Sequence, residues 1–192
     1  IPTKAGDRVK TDRRDAVKLA RCYRAGELTP VWVPDRDHEA LRDLVRAREA
    51  AKKDQLRARH RLSKFLLRAG ERPPTKMDTW GSSYMQWVRG LKFEHMAKQA
   101  TMVDYLGEID HLAARIERLE QVIEDAVKLA PPTMRAVIDG LQALRGLAKL
   151  SATTIAVEVG YFTRFDKASK LMAYAGATPS EYSTGGSRRQ GA

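Results

Sequence analysis

The sequence lacks the features of a membrane-spanning or disulfide-bonded protein. Its 192 residues contain no run of about 18 apolar residues, so it predicts no segment that crosses a bilayer. A single cysteine, Cys22, excludes a disulfide within the chain. The four histidines are scattered and lack the spacing typical of a zinc site; they are His38, His60, His95 and His111. We expect a cytosolic protein, and the opening Ile1-Pro2 favours a fragment of a longer chain.

Acidic residues are also fewer than basic ones. The sequence has 24 Asp and Glu against 35 Lys and Arg, which gives a formal net charge of +11. Such an excess favours a polyanionic partner, and nucleic acid is the leading candidate. A basic surface that binds no nucleic acid is the alternative that composition leaves open. The apolar content of 43% is typical of a soluble globular protein with one or two modest cores.

Proline is missing from two long stretches, which predicts two long helices. The first follows Asp35, a good capping residue, and ends near Ala69, and the second runs from about Glu94 to Ala130. Both carry apolar residues at steps of mostly three, four and seven. These are Leu41, Leu44, Ala51, Ala58, Leu62 and Phe65 in the first helix, and Met102, Leu106, Ile109, Ala113, Ile116, Ile123 and Ala130 in the second. The connection over 71–92 can reverse the chain, so we expect a long antiparallel helical hairpin or coiled coil.

A short helix is expected before the hairpin. Thr11 can cap this helix, and Gly26 can end it. Its plausible apolar face consists of Ala16, Val17, Leu19, Ala20 and Tyr23. The proline-bracketed segment 28–34 suits an extended connector or a short edge strand.

The remainder of the chain predicts a small helical block. Three short helices are expected there, over 134–144, 151–160 and 168–174. Glycines and hydroxyls over 176–192 favour a flexible basic tail or loop. The fold class is therefore mainly α, and the expected domains are 1–34, 35–130 and 131–192.

Two carboxylates open the first helix. Asp12 and Asp15 are three residues apart, so they lie on one face with about 5–6 Å between their Cβ atoms. Carboxylates at this distance can share divalent metal ions, which stabilise phosphoryl displacement. Acids in a first turn also complement the helix dipole, and this structural role is the alternative. The neighbouring Arg13 and Arg14 favour a phosphate nearby.

Basic residues dominate the first long helix. Between Arg36 and Arg68 there are eleven Lys and Arg against five Asp and Glu. A rod with this charge suits contact with a nucleic-acid backbone. A solvated helix face with internal ion pairs is the alternative.

Hydroxyls and guanidinium groups meet near the end of the chain. The segment 182–189 combines Ser183 and Thr184 with Arg188 and Arg189 around two glycines. These groups could provide a hydroxyl nucleophile beside a neutralised phosphate. By composition alone, an ordinary polar loop is the alternative.

Two strings together carry a family resemblance. One is Lys-Thr-Asp-Arg-Arg-Asp-Ala over 10–16, and the other is Ala-Tyr-Ala-Gly-Ala-Thr-Pro-Ser-Glu-Tyr-Ser-Thr-Gly-Gly over 173–186. In this order around a coiled coil, they resemble the DEDD transposases of insertion sequences. These are bridge-RNA-guided recombinases related to the pilin-gene invertase. The resemblance covers essentially the whole chain.

The resemblance implies a transposase that exchanges DNA strands. Residues 1–34 would be the C-terminal edge of a RuvC-like (RNase H-like) α/β domain whose four acids bind Mg²⁺. Asp12 and Asp15 correspond to the last two acids, and the others would lie on strands upstream of Ile1. The coiled coil would support dimerisation and contact with a guide RNA, within a dimeric or tetrameric assembly acting on donor and target DNA. A bacterial cytoplasmic, nucleoid-associated location follows from this expectation.

The family's C-terminal domain supplies a serine that becomes covalently linked to DNA. That serine immediately precedes a glycine, and Thr184 occupies the aligned position here, one residue after Ser183. Threonine is β-branched and more hindered, so either Thr184 serves, Ser183 replaces it, or activity is impaired; we favour Thr184. The expected nucleic-acid contacts are Arg13, Arg14, Lys52, Lys53, Arg57, Arg61, Arg188 and Arg189. The competing hypothesis is a non-catalytic nucleic-acid-binding scaffold whose helical hairpin dimerises.

Overall fold

The fold is mainly helical, as expected. A computed structural model describes residues 11–28, 31–74, 77–178 and 181–190. Its contacts divide the chain into two compact units, Ile1–Pro34 and Asp35–Ala192, which are treated separately below. None of the helices in the described segments is both long and apolar enough to cross a membrane.

Among the described residues of the first unit, 11–28 and 31–34, there is one helix, α1 (Asp12–Arg24). Thr11 caps it as expected, since its hydroxyl oxygen accepts the backbone N–H of Arg14 at 3.3 Å. No residue of α1 is buried. The expected apolar face is therefore open among the described residues of this unit, with Leu19 42% exposed and Tyr23 78% exposed.

The second unit is built on two long antiparallel helices, α2 (Arg36–Ala69) and α4 (Met96–Leu129). Their ends lie within two residues of the positions that the caps and prolines predict. A third helix, α3 (Ser82–Gly90), lies in the connection between them and was not predicted. Tyr84 and Val88 of α3 are buried against both long helices, so this helix closes the core at the turn of the hairpin.

The two long helices meet along nearly their full length. One core cluster joins the end of α2 to the start of α4 through residues such as Leu62 and Met102. A second cluster joins the start of α2 to the end of α4, a region we name the hairpin base. This pairing of opposite ends establishes the antiparallel hairpin.

Three expected apolar positions are not buried: Leu44 and Ala130 are only partly buried, and Ala113 is exposed. Val45 is 1% exposed and replaces Leu44, which is only partly buried, and Leu112 replaces the exposed Ala113. A helix has 3.6 residues per turn, so a strict seven-residue repeat drifts around its surface. The buried face consequently shifts by one residue within each helix.

The chain after α4 packs on the hairpin base. It forms α5 (Pro132–Gln142), α6 (Lys149–Val159), a 3₁₀ helix (Phe162–Arg164) and α7 (Ala168–Tyr174). Residues of α5 and α6 complete the second core cluster together with both long helices; they are Met134, Ile138, Ala152, Ala156 and Val157. The block expected after residue 131 thus shares its core with the hairpin.

The expectation of a loop near the end of the chain is wrong. Residues 181–190 form an antiparallel pair, β1 (Glu181–Thr184) and β2 (Ser187–Gln190). Gly185, with φ of 60°, begins the two-residue turn between them, and glycine adopts this backbone conformation without steric cost.

Candidate functional site

The candidate metal ligands occupy the first turn of α1. Asp12 is exposed and Asp15 is half-buried. Their oxygens are hard donors of the kind that Mg²⁺ prefers, and their spacing allows both to reach one cation. Within the residues that the structure describes, no group of three or more His, Cys, Asp and Glu could hold a metal. The two aspartates thus fit a shared cation but provide only part of a ligand set.

Basic side chains surround the same helix. A shallow groove runs along α1, lined by Thr11, Arg13, Arg14, Val17, Lys18 and Arg21. The order along the helix places Arg14, Lys18 and Arg21 on one stripe, at steps of four and three. This stripe can neutralise phosphates along α1. At about 100° per residue it lies closer to Asp15 than to Asp12, which is on the opposite side of the helix from Arg21.

The two candidate nucleophiles occupy neighbouring positions of β1. Ser183 is the register partner of Arg188, and Thr184 is the partner of Ser187 at the turn. Thr184 is exposed. Successive positions of a strand belong to its opposite faces. The two candidates that the sequence left open therefore take consecutive register positions of β1.

The basic residues of α2 fall into two groups. Several are engaged inside the fold: Arg48 donates to Glu120 at 2.9 and 2.6 Å, and Arg61 pairs with Glu108. Arg57 pairs with Asp54 on its own helix. Many of the charges thus serve internal ion pairs, as the structural alternative proposes.

The second group forms an exposed basic stripe. It consists of Lys53, His60, Lys64 and Arg68, all exposed, at steps of seven, four and four. In the described part of the chain no carboxylate lies within ion-pair distance of Lys53, Lys64 or Arg68, and the same holds for the expected contact Lys52. The stripe extends for about 22 Å along α2 at 1.5 Å per residue. Lys64 and Arg68 were not among the expected contacts, although their helical spacing from Lys53 could have identified them.

A polar network fixes the start of α2 at the hairpin base. Asp35 caps α2 by accepting the backbone N–H of His38 at 2.9 Å. It also accepts the ring Nδ1–H of the buried His38 at 2.9 Å and the hydroxyl of Tyr161 at 2.8 Å. These bonds, the backbone one foremost, lower the pKa of Asp35 to about 2. The sequence identified Asp35 as a cap but not the partners from α2 and the end of α6.

A second group of contacts joins α2 to the end of α6. Arg42 donates to the carbonyl oxygens of Val157 and Glu158 at 3.0 and 3.2 Å. Arg46 binds both carboxylate oxygens of Glu158 at 2.7 and 2.8 Å, and this hydrogen bonding lowers the pKa of Glu158. Cations at a helix C-terminus also complement its dipole. The end of α6 is therefore firmly held.

An arginine and two aromatic rings follow the end of α6. The Cζ atom of Arg164 lies 4.5 Å from the ring centroid of Phe165 and 4.4 Å from that of Tyr174. The two ring centroids are 5.4 Å apart, with planes inclined by 55°. The hydroxyl of Tyr174 donates to the carbonyl oxygen of Glu158 at 3.2 Å. No pattern in the sequence predicts this cluster.

Two family models match the chain. Residues 3–70 match a transposase model of the DEDD, IS110 type. Residues 139–192 match the transposase model of the IS116/IS110/IS902 family. The first match contains the two aspartates of α1, and the second contains the hydroxyls of β1.

Individual relatives agree with these matches. The y4qE protein of Sinorhizobium fredii, named as a transposase, is 44% identical to this chain over 185 residues. The matched region covers 96% of this chain and 43% of the relative. The transposase for insertion sequence element IS1533 of Leptospira borgpetersenii is 33% identical over 84% of this chain and 46% of its own length. The pilin gene-inverting protein of Moraxella bovis is 25% identical over 94% of this chain and 46% of its own length. The chain thus spans less than half the length of these relatives.

Proposed function

Because the chain belongs to the IS110 family of transposases, we propose that it is part of an enzyme that exchanges DNA strands by metal-assisted phosphoryl transfer. The main support is the placement of Asp12 and Asp15 together in the first turn of α1, inside the segment that matches the DEDD-type model. We propose a catalytic function for α1. For the long hairpin, we propose binding of nucleic acid and of a second protomer.

Asp12 and Asp15 are proposed to hold Mg²⁺ with further acids of the complete protein, on the C-terminal edge of a RuvC-like domain. Bound there, the cation would neutralise charge on the scissile phosphate. Arg14, Lys18 and Arg21 would position the phosphate backbone through charge-assisted hydrogen bonds. The dipole of α1 would add a partial positive charge at the same end.

A hydroxyl of β1 is proposed as the nucleophile. Its oxygen would lose its proton and bond to phosphorus while the phosphorus–oxygen bond to one strand end breaks. That end would leave as a free hydroxyl after it takes up a proton, and the protein would remain esterified to the other end. Thr184 is our first candidate, because it precedes Gly185 and is exposed beside the turn. Ser183 is the second candidate.

Guide RNA is proposed to select the DNA sequence, so that the protein reads backbone and shape. The exposed basic stripe of α2 favours this role, because it places Lys53, Lys64 and Arg68 on one exposed face of the helix, where they can contact phosphates. The hairpin is proposed to dimerise as a coiled coil. Loss of charge at Lys64 should weaken RNA binding and reduce its salt dependence by about one unit of slope or less.

Strand exchange by the complete transposase tests the proposed function. Asp12→Asn and Asp15→Asn preserve side-chain volume and remove the negative charge that a cation requires. Each should abolish exchange and leave RNA binding nearly unchanged, whereas Glu27→Gln, an exposed acid after α1, should leave exchange intact. If exchange persists in both Asn variants, Asp12 and Asp15 do not hold a cation that the reaction requires, and the proposed mechanism is wrong.

Capture of the covalent intermediate identifies the nucleophile. Labelled DNA that stays attached to denatured protein should disappear with Thr184→Ala and persist with Ser183→Ala. Thr184→Ser should retain attachment, because it keeps the hydroxyl and removes the hindering methyl group. The reverse pattern would assign the reaction to Ser183, and attachment in the double alanine variant would exclude both.

A further inference from the structure

We propose that Arg164, Phe165 and Tyr174 form a stacking platform for an unpaired base of single-stranded DNA. The proposal rests on the proposed function, because strand exchange is the step that exposes unpaired bases. We name these three residues the aromatic platform.

The aromatic platform offers planar groups to solvent. Tyr174 is 52% exposed and Arg164 is exposed, although both take part in the contacts of the cluster. Bases stack on aromatic rings and on guanidinium planes, and each base contributes about 1–3 kcal/mol in single-strand complexes. A duplex hides the faces of its bases within the helical stack, so an exposed platform of this kind favours single strands.

The platform is also preorganised. The hydroxyl of Tyr174 is anchored to the carbonyl oxygen of Glu158, and Arg42 binds the same carbonyl from α2. Arg46 fixes the carboxylate of Glu158. Because the ring of Tyr174 is already ordered, stacking of a base costs little additional side-chain entropy.

The surrounding charge fits a nucleic-acid backbone. Residues 161–175 contain three basic side chains, Arg164, Lys167 and Lys170, and one acid, Asp166. Asp166 pairs with Lys170 at 3.0 Å. In the described part of the chain no carboxylate lies within ion-pair distance of Lys167. A phosphate next to a stacked base would therefore meet net positive charge.

A purely structural role would predict a different pattern of binding. In that case Arg164 and Tyr174 would only hold α7 against the end of α6, and bases would not affect affinity. Two affinities separate the two roles. One is the affinity for a 12-nucleotide single strand of thymidines, and the other is the affinity for the same strand with abasic sites at its central positions. Fluorescence anisotropy with the 192-residue chain measures both affinities.

The platform predicts a preference for bases that depends on Tyr174. Wild-type protein should bind the thymidine strand about fivefold or more tightly than the abasic strand. Tyr174→Leu should remove this preference by weakening only the thymidine complex, and Arg164→Lys should reduce it because lysine lacks a planar group. Tyr174→Phe keeps the ring but loses the anchor to Glu158, so it should retain a reduced preference. As a control, Lys167→Gln should weaken both complexes and reduce the salt slope by about 0.7.

Equal affinity of wild-type protein for the two strands would overturn the proposal, whether or not the variants fold. An equal loss of affinity for both strands in a folded Tyr174→Leu variant would also overturn it. So would binding of the RNA strand of matching sequence that is tighter than binding of the DNA strand and depends on Tyr174. Catalysis is not required, so Asp12→Asn should keep the base preference. Exchange that persists in Asp12→Asn would defeat the proposed function alone, whereas a missing base preference would defeat only the platform.

Discussion

Replacement of Asp35 by alanine removes three hydrogen bonds from the hairpin base. Asp35 caps α2 through the backbone N–H of His38, binds the ring of His38 and accepts the hydroxyl of Tyr161. His38 is 5% exposed, so its ring N–H would lose its acceptor in a site with little access to water. Tyr161 is 45% exposed, and water can replace its bond.

The expected cost follows from these contacts. Loss of a helix cap costs about 0.5–2 kcal/mol, and a buried donor without an acceptor costs about 1–3 kcal/mol. We therefore expect Asp35→Ala to lower the free energy of unfolding by roughly 2–4 kcal/mol. Asp35→Asn retains an oxygen for the cap and for His38 and should cost about half as much or less. Tyr161→Phe loses one exposed bond that water can replace, and should cost the least of the three.

Urea unfolding followed by circular dichroism at 222 nm measures these differences. The urea concentration at the midpoint of unfolding should be lowered least by Tyr161→Phe, more by Asp35→Asn and most by Asp35→Ala. The slope of the free energy of unfolding against urea concentration should not change. If Asp35→Ala is as stable as the wild type, or if Asp35→Asn is as damaging as Asp35→Ala, the network does not stabilise the base as we describe.

The same residue predicts a dependence on pH. The pKa of Asp35 falls from 3.8 to about 2 on folding, so the charged carboxylate stabilises the fold fully above about pH 4. This stabilisation is lost as the pH falls from about 4 to about 2. Because the side chain is 45% exposed, solvent screening limits the contribution to about 1 kcal/mol. The stability difference between wild type and Asp35→Asn should therefore be constant at neutral pH and shrink below pH 4.

Four further substitutions test the hairpin by urea unfolding. Leu62→Ala should cost about 2–5 kcal/mol, because Leu62 is 0% exposed and its removal leaves a cavity; a cost below 1 kcal/mol would contradict its place in the core. Gly70→Ala should cost about 1 kcal/mol from backbone strain alone, since φ is 83° and an added Cβ meets no atom within 4 Å. Glu120→Gln should cost roughly 1–2 kcal/mol, because its partner Arg48 is only 15% exposed. Glu108→Gln should cost less, because its partner Arg61 is 44% exposed. Equal costs for the two glutamates would refute the burial argument.

Local signals in the sequence predicted most of the helices. Thr11 and Asp35 cap α1 and α2, and the proline at 131 follows α4 directly, so these ends depend on nearby residues. The missed α3 has its apolar residues Tyr84 and Val88 four apart. It is only nine residues long, and its burial depends on both long helices, so its stability comes from tertiary packing.

Other features depended on contacts between distant residues. The Gly-Gly pair before Ser187 is a hairpin signal that we interpreted as a loop. The Arg164–Tyr174 contact and the bonds of Glu158 join residues from separate helices, and periodicity within one helix does not predict them. The aspartates of α1 were visible from their spacing, but their chemistry requires ligands that spacing does not identify.

A direct test of the central claim is to locate the divalent cation in the complete DNA-bound protein. Fe²⁺ can replace Mg²⁺ there, and hydroxyl radicals generated at the iron cut the polypeptide nearby. We predict cuts beside Asp12 and Asp15 that disappear in the double Asn variant and are suppressed by excess Mg²⁺. Cuts that remain in the double variant, or that occur only in distant segments, would contradict a metal site at the start of α1.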